Sequence, residues 1–206
     1  MRNFTLIILL TSLCYSSFAQ PDLAKDLIKR YEIKNGFKAV VDITIDVPGI
    51  IAPQKTIEVY SQKGKAPKIK GEGLILLPKK GFVEQFSDLL TIPVHWILLE
   101  NKGNFQVYKL VSLDPKSDWV TADLKIYTKD LRIDEINLTT RESGVFQINH
   151  FYGKGKYPVR TEISFVTDKF SLPLKFLGKS DNSAPKTTDG KVKGKITLVF
   201  TKFEVF

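Results

Sequence analysis

The side chains best suited to chemistry in this chain are few, and their spacing does not suit them to it. There are two histidines, His95 and His150, and a single cysteine, Cys14. His95 stands between Val94 and Trp96, and His150 shares its parity with Phe146, Ile148 and Tyr152, so both fall in segments that read as strands. Neither has a histidine or cysteine partner at metal-ligand spacing, and no metal or other cofactor is expected. A hydrolase would require one of them to meet a carboxylate or a serine in a cleft. Asp134 and Glu135 are adjacent, and neighbours on a regular strand face opposite ways, which makes a poor acid/base pair. No G-x-S-x-G elbow or phosphate-cradling glycine loop occurs. These residue types point away from an enzyme and toward a protein that works by binding.

What the chain has in excess is lysine. Its 31 Lys and Arg outnumber 22 Asp and Glu, for a net charge of +9. Such a surplus favours anionic partners: phospholipid headgroups, polysaccharide phosphates or nucleic acid. Acids interrupt the lysines along the strands and no Arg-rich stripe with stacking aromatics forms, so nucleic acid is not expected. A basic, solvated surface explains the surplus equally well. Arg2, the apolar run Leu6 to Leu10 and the small residues Ser17 and Ala19 give residues 1–19 the pattern of a secretory signal peptide. That run is short of the ~20 residues that span a bilayer. Residues 20–206 then form a single exported domain, expected in the periplasm. Cys14 falls inside the leader, so the domain has no disulfide and its stability must come from its core.

The elements that must position these residues are mostly strands. From Gly36 to Pro48, Ala39, Val41, Ile43, Ile45 and Val47 alternate with Lys38, Asp42, Thr44 and Asp46, as in a half-buried strand. Thr56 to Gln62 and Lys68 to Leu74 continue the alternation, with a basic turn, Lys63 to Lys68, between them. Gly71 and Gly73 share the parity of Ile69 and leave two inward positions without side chains, room for a helix or a ligand or relief for a twisted strand. Before these strands, Leu23, Leu27, Ile28 and Tyr31 share one face of a short helix. After them, Gly81 to Leu90 has helical spacing.

Strands follow at Val94 to Leu99, Phe105 to Leu113, Val120 to Thr128, Leu131 to Leu138, Val145 to Tyr152 and Val159 to Val166. In Leu131 to Leu138 the apolar parity switches, which predicts a bulge near Asp134 and Glu135. Phe170 to Leu177, broken by Pro173, reads as an edge segment or plug, and Lys179 to Lys191 as a mobile loop. Lys195 to Val205 closes the chain as a strand with apolar residues of both parities, expected to be covered on both sides. The fold class is mainly β: a curved antiparallel sheet, capped by short helices, whose interior is either filled by its own side chains or left as an apolar cavity.

In this order of elements the chain resembles the LolA-like periplasmic lipoprotein carriers and outer-membrane lipoprotein-sorting proteins. The resemblance is carried by Tyr60 to Lys70 (YSQKGKAPKIK), Gly73 to Phe82 (GLILLPKKGF), the Val120 to Tyr152 strands and the closing Lys195 to Val205 strand. It implies an open, incomplete β-barrel that holds lipid, or the acyl chains of a lipoprotein, in a concave apolar cavity, without catalysis and as a monomer. In that picture Val41, Ile43, Ile45, Ile57, Val59 and Ile69 line the concave face. Phe82, Phe86, Leu89 and Leu90 form its lid, and Lys63, Lys65, Lys68, Lys79 and Lys80 meet an anionic headgroup, a membrane surface or an envelope protein. The alternative is a cell-envelope interaction subunit with a self-filled barrel and a basic docking rim.

Overall fold

The computed structural model describes residues 22–32, 34–50, 52–62, 65, 68–71, 89, 93–167 and 187–206. The chain begins there with helix α1 (Asp22–Tyr31), followed by β1 (Gly36–Asp46), β2 (Lys55–Gln62) and β3 (Lys68–Lys70). A meander follows: β4 (Val94–Asn101), β5 (Phe105–Ser112), β6 (Trp119–Tyr127), β7 (Arg132–Thr140), β8 (Val145–Tyr152) and β9 (Pro158–Thr167). Short β10 (Thr187–Thr188) and long β11 (Lys191–Val205) end it. All eleven strands form one sheet in the order β3-β2-β1-β11-β9-β8-β7-β6-β5-β4, with β10 paired to β11. Every pairing is antiparallel. β3 and β4 end the sheet without meeting, so the barrel is open, as expected.

β11 is the keystone, because it joins the two halves of the sheet. It pairs with β1 along Phe37↔Val205 to Asp46↔Lys195, and with β9 along Val192↔Thr167 to Val199↔Arg160. The residue after it, Phe206, is held by two backbone hydrogen bonds with Gly36, each 3.1 Å.

The strands form because one face of each is apolar and can be covered. Phe37, Ala39 and Val41 of β1, Ile57 and Val59 of β2, and Leu198 of β11 join Leu110, Leu124, Ile126, Ile133, Ile136, Ile148 and Ile163 from β5 to β9 in one core. Leu27 of α1 lies in the same cluster, fully buried, while Leu23, Ile28 and Tyr31 pack against it. The expected helix face is thus the face that docks. A ten-residue helix is marginal alone, and burying one leucine contributes roughly 1.5–3 kcal/mol, so the sheet holds α1 in place.

The predicted bulge is present. Ile133 pairs with Ile126 and Glu135 with Lys125, leaving Asp134 as the extra residue, and both Ile133 and Ile136 reach the core. The expectation for the closing strand needs correction. Val199 and Val205 are exposed, and β11 carries its own bulge: Val41 pairs with Phe200 and Val40 with Lys202, so Thr201 is extra. The parity change brings both Phe200 and Phe203 against the core. The bulge, with Val199 and Val205 exposed, accounts for apolar residues of both parities.

Two further corrections concern turns. The expected loop from Lys179 to Lys191 contains strand β10, which forms a hairpin with β11 through Asp189 (φ 53°) and Gly190 (φ 73°). Two positive φ values in sequence are what a type I′ turn requires, and Asp-Gly supplies them cheaply. At the other end, β3 stops at Lys70, and Gly71 turns away with φ 142°. A Cβ on Gly71 would meet Ile57 Cγ2 at 3.1 Å and Thr56 O at 3.2 Å, so the position is tight against β2, while Gly73 lies outside the described residues. The predicted helix Gly81 to Leu90 lies outside the described residues except for Leu89, and the segment Phe170 to Leu177 lies outside them entirely.

Candidate functional site

Cross-strand pairing brings most of the expected apolar set together. Val41 stands opposite Ile57, and Val59 opposite Ile69. Ile43 stands opposite Leu198 on the other flank of β1. Val41 and Ile57 are 3% and 1% exposed, whereas Ile43 and Ile69 are only half-buried at the edge of the same cluster. Leu89, the described residue of the expected lid, is buried against that cluster too. Ile45 goes elsewhere: it packs with Val47, Phe165 and Val192 in a second, smaller core at the far end of β1. Phe82, Phe86 and Leu90 lie outside the described residues.

The basic set is divided in the same way. Lys65 and Lys68 are exposed beside the β2–β3 edge. Lys63, Lys79 and Lys80 lie outside the described residues.

Two features of this face were not visible as a pattern in the sequence. The first is an aromatic wall at the end of β11: Phe203 stacks on Phe37 at 5.3 Å, meets Tyr157 at 4.5 Å and Phe200 edge-on at 6.4 Å. The bulge at Thr201 creates it, and a parity switch was its only signal. The second is a closed chain of hydrogen bonds where β8 leaves β7. The Ile133 N–H donates to Tyr31 Oη (3.2 Å), the Tyr152 hydroxyl donates to the Ile133 carbonyl (2.9 Å), and the two hydroxyls are 2.9 Å apart. With the Tyr152 proton spent on the carbonyl, Tyr31 donates to Tyr152. Burial, followed by Tyr31 beside it, pushes the Tyr152 hydroxyl far above the usual phenol range, so it remains a donor.

Among the described residues the two histidines singled out in the sequence lie apart from one another. His150 Nδ1 is 2.9 Å from Thr161 Oγ1, and burial lowers the imidazole to about 3, so the ring is neutral near pH 7. A general base works best with a pKa close to the working pH. His95 sits on edge strand β4, four strands away in the sheet. The Asp134 carboxyl is raised by burial, against the pull of Arg132 and Lys125. Glu135 instead accepts hydrogen bonds from Asn137 (3.0 Å) and Gln147 (3.2 Å). Among the described residues no group of three His, Cys, Asp or Glu side chains could hold a metal ion, and no helix is long and apolar enough to cross a membrane.

No protein-family model matches the chain, and no curated protein matches it in sequence. Solved structures do match it. A LolA superfamily protein from Nitrosomonas europaea superposes with a TM-score of 0.56 at 11% identity, over 89% of this chain and 93% of that one. A domain classed with outer membrane lipoprotein-sorting proteins, from Vibrio parahaemolyticus, gives 0.50 at 9% identity, over 89% and 91%. A DUF1329 family protein from Desulfovibrio piger gives 0.54 at 7% identity, over 89% and 90%. Identities this low speak for architecture alone, and together with the open eleven-stranded antiparallel sheet and its docked helix they establish that the fold is LolA-like.

Proposed function

We propose that this protein is a non-catalytic periplasmic carrier that binds lipid, or the acyl chains of a lipoprotein, on the apolar inner face of its open sheet. The observation that carries the reading is the apolar face formed by β1, β2 and β11, which ends at half-buried Ile43 and Ile69 with exposed Lys65 and Lys68 near the sheet edge. Each methylene moved from water into such a face contributes ~0.8 kcal/mol, so one or two acyl chains suffice for firm binding without any reacting group. A cation near the edge suits an anionic headgroup. The leader-like pattern of residues 1–19 supports export. The LolA-like fold supports the cargo class, because one similar structure is classed with outer membrane lipoprotein-sorting proteins.

The test is native mass spectrometry of the protein purified from cells, with lipid extraction of the same sample. We expect co-purifying lipid, lost in Ile43→Glu and Ile69→Glu variants that retain a cooperative melt. Protein that is ligand-free and also ignores added phospholipid and acylated peptide would sink the carrier reading.

A further inference from the structure

We propose that the outer face of the sheet, where β11, β1, β2 and β3 lie side by side, is a docking surface for an anionic phospholipid bilayer, with Tyr60 and Phe206 as its aromatic contacts and Lys38, Lys68, Lys70 and Lys202 as its cations. The register puts most of these residues in two neighbouring rows. In one, Lys38 stands between Glu204 and Tyr60, with Lys68 beyond Tyr60. In the other, Val40 stands between Lys202 and Glu58, with Lys70 beyond Glu58. Along β1 and β2 these residues alternate with Phe37, Ala39, Val41, Ile57 and Val59, which are buried in the core, so both rows point outward.

Gly36 brings Phe206 to this face. The two exchange backbone hydrogen bonds, and a Cβ on Gly36 would meet Phe206 Cε2 and Cζ at 3.0 Å, so the ring lies across a position that has no side chain. It stacks there on Tyr60, with ring centroids 5.5 Å apart and planes 23° from parallel. Even so, Tyr60 remains 39% and Phe206 46% exposed. Two adjoining large rings left in water on a polar sheet face are favourable at a membrane boundary, where the aromatic body meets acyl chains and the hydroxyl meets headgroups.

The charges around the rings fit the same partner. All four lysines are exposed, and none forms an ion pair among the described residues. Glu58 and Glu204 are equally unpaired there, which leaves a surplus of two positive charges. Asp42, one row further, accepts a hydrogen bond from Thr56. Four strands spread the lysines over roughly 14 Å. A small anion would need them converged, whereas the phosphates of a bilayer are themselves spread over a plane. The face lies on the opposite side of the sheet from the apolar face assigned to cargo, so the docking surface does not depend on the carrier reading.

The experiment is cosedimentation of the full chain with vesicles of phosphatidylglycerol and phosphatidylethanolamine at ~0.1 M salt. We expect the double variant Lys38→Gln, Lys202→Gln to bind about tenfold more weakly than wild type. The double variant Lys116→Gln, Lys129→Gln removes the same charge from exposed lysines in the β5–β6 and β6–β7 turns, and should change binding by less than about twofold. Tyr60→Ser and Phe206→Ser should each weaken it about fivefold, and Tyr60→Trp should retain it. Equal losses in the two lysine pairs would mean that net charge alone drives binding, and would overturn the surface. Wild-type affinity in both Ser variants would overturn it as well. So would a wild type that ignores the vesicles, and its retention on heparin would then give the face to an anionic polysaccharide. Thermal melts check folding, and Phe206→Ser carries the comparison if Tyr60→Ser does not fold. Lipid that co-purifies with the protein bears on the carrier reading alone, so either proposal can fail without the other.

Discussion

His150 illustrates how one side chain can be placed for structure and still leave a measurable signature. Its folded pKa of about 3 lies below the ordinary 6.5, so between these values the unfolded chain binds a proton that the folded one refuses. Stability is therefore complete above pH 6.5 and falls as the pH drops toward 3, by roughly 1 kcal/mol per pH unit from this residue. Replacing His150 with Gln should flatten the stability profile between pH 6.5 and 5, measured by urea denaturation. Identical slopes in the two proteins would mean that the imidazole is not held neutral. Gly194 is the second sensitive position. A Cβ there would meet Phe165 Cζ at 2.5 Å and Val47 Cγ2 at 2.7 Å, inside the smaller core. Gly194→Ala should cost about 1–3 kcal/mol through overpacking, seen as a lower urea midpoint with unchanged slope. An unchanged midpoint would show that Phe165 can move aside freely.

Among the elements, α1 depends on two supports: its leucine face and the tyrosine chain at its end. Tyr31→Phe keeps the ring but removes the acceptor for the Ile133 N–H, and an orphaned buried donor costs about 1–3 kcal/mol. We expect faster amide exchange in α1 and at the β7 bulge, with little change in β5 and β6. Uniform exchange across the sheet would assign the hydroxyl no local role. The same elements show what could be read in advance. Apolar periodicity, helical for α1 and alternating for the strands, located α1 and most strands, because each has one covered face and the period is then forced on the sequence. It also exposed the bulge in β7, where Ile133 and Ile136 must both reach the core. In β11 the same parity switch admitted a second explanation, two covered faces, and nothing local separates one from the other. The Asp189-Gly190 hairpin signal was present but lay within a polar stretch whose strand, β10, is only two residues long. The hydrogen bond between Tyr31 and Tyr152 was not legible either, since it spans 121 positions.

For the whole molecule, the open sheet ends at β3 and β4, and a net charge of +9 governs what approaches it. At low ionic strength this surplus should draw the protein to anionic membranes, because exposed charges act over a Debye length of ~10 Å at 0.1 M salt and ~3 Å at 1 M. Cosedimentation with vesicles of phosphatidylglycerol and phosphatidylethanolamine should be strong at ~0.02 M salt and nearly lost at ~0.5 M, and absent with phosphatidylcholine alone. Binding of a single lysolipid held against the inner face should vary much less with salt, since burial of the chain is not screened. Measuring both on one preparation separates approach from capture. Vesicle binding that ignores salt would place an apolar surface, and not the lysines, in contact with the membrane. The exposed Ile97, Leu98 and Leu99 of edge strand β4 would then be the first residues to replace with polar ones.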